Sequence, residues 1–69
     1  MKTATIKVYE IFGTSHLHAT VMYRDQVLRG FDRSDLLDYS QSERRGLIDL
    51  CKAWAESRGF THFRIKEAA

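Results

Sequence analysis

The segment "GTSHLHATVMYRDQ" places His16 and His18 two residues apart, with Thr20 two further on. Imidazoles at that spacing share one side of a strand and could supply two ligands to a metal ion. Such a site needs a third histidine or a carboxylate converging on the pair, and the sequence offers none at a matching spacing. The single cysteine, Cys51, falls between Ile48 and Ala55. A nucleophilic thiol wants exposure and a basic neighbour, whereas this position predicts packing against a core. Asp32, Asp35 and Asp38 recur at every third position but lack the glycine-containing loop of a calcium site, so they read as turn and cap residues. No glycine-rich phosphate loop, Ser-His-Asp set or usefully spaced carboxylate pair is present. The expectation is a protein that is not an enzyme, with no cofactor and no metal.

These residues must be held by a small scaffold. A chain of 69 residues makes one domain, residues 1–69, and buries only about 60% of its unfolded surface. Its 43% hydrophobic and 29% charged residues are too apolar for a disordered tail and predict a folded unit. One cysteine excludes an internal disulfide and fits a reducing cytoplasm. The opening "MKTATIKVYEIFG" carries Lys7 and Glu10 where a secretory signal needs a continuous apolar stretch, and no apolar run exceeds three residues, so no membrane segment is expected. The formal charge of +2 is mild. Where that charge lies matters more than its sum.

Alternation predicts three strands before the helix. In "TATIKVYEIF", Thr3 to Phe12, Ala4, Ile6 and Val8 oppose Thr5, Lys7 and Tyr9. After the turn Gly13-Thr14-Ser15, Leu17, Ala19, Val21 and Tyr23 oppose His16, His18, Thr20 and Met22. "RDQ" offers a short hairpin turn into "VLRGF". A two-residue turn with regular pairing puts Leu28 on the Val21 side and Arg29 on the His18 side, and a one-residue slip reverses both. Ser34 is a candidate cap for a short turn carrying Leu36 and Leu37 onto the core. "SQSE" from Ser40 to Glu43 reads as a capping box starting the helix. Leu47, Ile48, Leu50, Cys51, Trp54 and Ala55 then make the apolar stripe, with Trp54 as its largest core side chain, and Gly59 supplies the left-handed stop. In "FTHFRIK", Thr61, Phe63 and Ile65 oppose His62, Arg64 and Lys66.

The predicted fold is therefore α+β in the order β-β-β-α-β, one mostly antiparallel four-stranded sheet with one long helix packed on one face. A single helix covers one side only, so the other is free for a partner. The alternations put Lys7, Tyr9, His16, His18, Thr20, Met22, Arg29, His62, Arg64 and Lys66 on that free side. It is locally basic, with a tyrosine and a methionine among the cations. We take Lys7, Tyr9, His16, His18, Met22, Arg29, His62, Arg64 and Lys66 as the candidate partner-binding residues. Strand one or three, left at a sheet edge, could pair with a second copy, so the chain is expected to be a monomer or a homodimer.

Two further features carry resemblances. "HAT", His18 to Thr20, resembles the His-x-Thr element of two-histidine phosphoesterases, but that family uses two such elements from two lobes of a much longer chain. The hairpin-rich start, the "WAESRG" helix end and the short final strand resemble, in size and topology, small proteins of phages and mobile elements, among them some anti-CRISPR proteins. The layout is similar, more loosely, to the sheet-plus-helix half of HicB-type antitoxins, without their acidic glycine-aromatic hairpin. The anti-CRISPR resemblance implies a non-catalytic, cytoplasmic, phage-type inhibitor that docks on a bacterial protein complex such as a CRISPR effector and blocks it sterically. The residues themselves leave a second expectation open, a small nucleic-acid-binding domain using the same basic face.

Overall fold

Ala4, Ile6 and Val8 alternate with polar neighbours, and so do Ala19 and Val21. A strand shows successive side chains to opposite sides, so these five fall on one side of a sheet, where all are 0% exposed. The structure is a computed structural model that describes residues 2–10, 17–36 and 43–67. Its elements are β1 (Thr3–Glu10), β2 (Leu17–Tyr23), β3 (Gln26–Asp32), a 3₁₀ turn (Arg33–Asp35), α1 (Glu43–Ser57) and β4 (His62–Glu67). The expected α+β fold, one four-stranded sheet with one helix on it, is the observed one. Ile11, Phe12, the turn at Gly13-Thr14-Ser15, His16, Leu37, Asp38 and the helix start at Ser40 lie outside the described residues.

The strands lie in the order β3-β2-β1-β4, with β1–β2 and β2–β3 antiparallel and β1–β4 parallel. β3 and β4 thus run in the same direction at opposite edges, an arrangement no tight turn can join. The chain crosses back through α1, which packs mainly over β2 and β1. Strand β1 is therefore central, which corrects the expectation that it lies at an edge; β3 is an edge as expected.

The β2–β3 hairpin turns on Arg24 and Asp25, with φ of 51° and 63°. Two successive left-handed residues make the tight turn whose twist suits a hairpin. Tyr23 then pairs with Gln26 and Met22 with Val27, but the register slips and Val21 pairs with Arg29. This bulge leaves Leu28 as the extra residue and puts Arg29 on the helix side of the sheet.

Under α1 the core joins Leu47, Cys51 and Ala55 to the inner rows of β1 and β2, closed by Phe31, Leu36 and Phe60. Gly46 lets Leu36 come close, since a Cβ there would lie 2.8 Å from a Leu36 methyl. Trp54 is half-buried at the core margin rather than its anchor, and the Arg58 guanidinium lies 5.0 Å from its ring centroid. The 3₁₀ turn is capped by Asp32, not by Ser34. The Ser34 backbone N–H and hydroxyl both donate to the Asp32 carboxylate, while the Asp32 N–H donates to Asp35 at 2.9 Å. Those reciprocal bonds are the logic of a capping box.

The end of α1 follows the sequence signal. Gly59 has φ of 93°; its N–H donates to the Glu56 carbonyl and the Phe60 N–H to the Ala55 carbonyl, both at 3.1 Å. This bond pair is a Schellman stop, and it delivers Phe60 into the core beside Ala55. Nothing stands within 4 Å of a Cβ built at Gly59, so substitution there costs backbone strain alone. Gly59→Ala is expected to lose about 1–2 kcal/mol, a fall of roughly 4–16 °C in melting temperature for a domain of this size. Thermal unfolding followed by circular dichroism measures it. Ile6→Ala, at a fully buried position on the central strand, is expected to lose about 2–5 kcal/mol, checked by urea titration.

Candidate partner-binding face

The pairing registers arrange the open side of the sheet in rows. One row runs Val27, Met22, Thr5, Arg64 and the next Gly30, Thr20, Lys7, Lys66. A third holds Asp32, His18 and Tyr9. The face exists because the partners of these residues in the alternation are the core. Lys7, Tyr9, His18, Met22, His62, Arg64 and Lys66 all fall on it, as the sequence predicts; His16 lies outside the described residues. Arg29 does not. The bulge turns it to the helix side, where its guanidinium lies 4.8 Å from the Phe31 ring centroid.

Two features give the face its character. The Tyr9 and His18 rings, directly opposite on neighbouring strands, stack with centroids 6.0 Å apart and planes 24° from parallel. Beside them, Thr5, Lys7, Arg64 and Lys66 line a shallow depression of about 330 Å³, closed at one end by Arg24 and Asp25 of the hairpin turn and floored in part by Met22. Arg24 was absent from the sequence-derived set because it sits in a turn. Its position two residues beyond Met22 is the signal that could have found it, and its guanidinium rests 5.2 Å from the Tyr23 ring centroid. Val27, 60% exposed and paired with Met22, adds an apolar spot that the set also omitted.

Lys7, Arg64 and Lys66 form no ion pair with another described residue, whereas on the helix side Arg44 and Glu67 meet at 3.0 Å and tie the start of α1 to β4. Asp32 is the one acidic residue in the rows, at the far corner opposite His18 and engaged in the 3₁₀ cap. His62, at the β4 end of the face, bonds through Nδ1 with the Thr61 hydroxyl at 2.9 Å.

Among the described residues no three His, Cys, Asp or Glu side chains group to hold a metal ion, and no helix is long and apolar enough to cross a membrane. The Glu43 carboxylate accepts the Leu17 N–H at 3.3 Å, fastening the start of α1 to the start of β2. Comparison with protein-family models, curated proteins and solved structures gave no match.

Cys51 is 0% exposed, and burial pushes its thiol up to about 11. Two consequences follow for the folded chain. Since the folded value lies above the ordinary 9.0, the neutral thiol is favoured in the core, and this contribution to stability is full below pH 9 and lost as pH rises toward 11. Cys51→Ala should flatten that part of the alkaline stability profile, measured by urea titration at stepped pH. At pH 8 the native thiol should react with a disulfide reagent at least about 100-fold more slowly than the urea-unfolded chain, as the lower thiolate fraction and the burial require.

Proposed function

We propose that this chain is a non-catalytic binding protein that works in the cytoplasm of a bacterial host by seating its open sheet face on an anionic surface. The observation that carries the proposal is the set Lys7, Arg64 and Lys66, three cations on one face without an ion-pair partner among the described residues. The sheet is preformed, so docking orders little backbone and a modest face can bind tightly.

Two partner classes fit. In the first, the face docks on a bacterial protein complex and blocks it sterically, the CRISPR effector being the target implied by the resemblance to small phage inhibitors. Met22 beside the exposed Val27 and near Arg64 favours it, since methionine and arginine are enriched at protein interfaces and an exposed apolar spot gains from being covered. In the second, the face holds nucleic acid, favoured by the Tyr9–His18 ring stack next to the cations.

Replacing both Arg64 and Lys66 with glutamate is expected to abolish partner binding in either class while leaving the helical circular dichroism signal intact. A pull-down from bacterial lysate, with and without nuclease, reads the result. Binding that survives the double change contradicts the sheet-face proposal. Defined protein subunits retained after nuclease identify the first class, and loss of all captured material identifies the second.

A further inference from the structure

Lys7 and Lys66 are direct partners in the β1–β4 register, and Arg64 stands two residues before Lys66 on the same side. Like charges set opposite one another on neighbouring strands repel and weaken a sheet. Here the repulsion is built into a depression that also receives Arg24 and the hydroxyl-bearing Thr5. Of its charged residues, four are cations and one, Asp25, is an anion. A lone carboxylate from a protein surface would leave most of that charge unanswered. Successive phosphates on one strand would answer more of it, with lysines acting as point charges and an arginine as a two-pronged donor.

Along the same face, toward the C-terminal end of β1, the cation rows give way to the Tyr9–His18 stack. Successive bases stack on such rings whatever their sequence. We infer that the depression lined by Thr5, Lys7, Arg24, Arg64 and Lys66 is a phosphate subsite for a single nucleic-acid strand, with an adjacent base seated at Tyr9 and His18. This rests on the open sheet face being the binding face and goes further by assigning the ligand and the position of its phosphate.

The test uses the full chain and a short, fluorescently labelled single-stranded DNA of mixed sequence, followed by anisotropy over a range of salt. The wild-type protein binds, and affinity falls steeply with salt. Changing Lys7 and Lys66 together to glutamine removes two phosphate contacts and lowers the slope of log affinity against log salt by about 1.4. Lys66→Gln alone weakens DNA binding yet raises the melting temperature by about 1–5 °C, because it relieves the cross-strand repulsion. Opposite movement of stability and affinity separates a lost contact from a damaged fold.

A higher melting temperature with unchanged affinity and slope overturns the subsite. Binding lost on Tyr9→Ala but kept in the double lysine variant likewise overturns the depression as the phosphate position, while the sheet face stands as the binding face. Absence of DNA binding by the wild-type chain, with protein subunits still retained in nuclease-treated pull-downs, overturns the ligand assignment and leaves the protein-docking reading.

Discussion

Everything in this fold depends on one constraint: a single 15-residue helix has to cover a four-stranded sheet. It covers one side, over β2 and β1, where Ala4, Ile6, Val8, Ala19 and Val21 are fully buried in one core with Leu47, Cys51 and Ala55. Among the described residues no second layer lies on the other side, and a domain of this size buries only about 60% of its unfolded surface. Toward β4 the cover thins even on the helix side, where Ile65 is 38% exposed although it shares a face with Ile6. The Arg44–Glu67 pair, exposed at both ends, spans that margin. In water an exposed pair of this kind contributes little to stability, so β4 is held chiefly by its pairing with β1.

The same constraint makes the open face available and leaves its composition free. A solvated sheet face needs only to avoid repelling itself, and mixed charges satisfy that. This one places Lys7 against Lys66 with Arg64 close by, and it keeps acidic residues to the hairpin turn and the far corner. Stability does not explain that choice; the anionic partner we propose would. The proposed role and the local electrostatic cost are thus two consequences of one arrangement.

Most of the layout was legible because it rests on short-range rules. The period-two alternation identified four strands and the buried residues Ala4, Ile6, Val8, Ala19 and Val21 of β1 and β2, and the glycine after Arg58 marked the helix stop. Arg29 was misplaced because a bulge inserts one residue, and nothing in "VLRGF" distinguishes a regular pairing from a bulged one. The central place of β1 was illegible for a different reason. It follows from α1 carrying the chain from one edge to the other, which is decided by tertiary packing and not by any residue of β1. Ser34 and Asp32 are both good cap residues, and the choice between them turned on where β3 ends. Arg24 continues the Met22 side of the alternation by two residues, and the turn geometry brings it to the depression.

The most direct measurement is a methyl-detected NMR titration of the full chain with single-stranded DNA. Thr5, Thr20 and Met22 report from the open face, and Ala53 from the exposed side of α1. The account predicts that the Thr5, Thr20 and Met22 methyl resonances shift together and saturate at one stoichiometry while Ala53 stays in place. Shifts confined to Ala53 and its helix neighbours would contradict the sheet face as the binding face, and no shifts at any DNA concentration would contradict the nucleic-acid assignment.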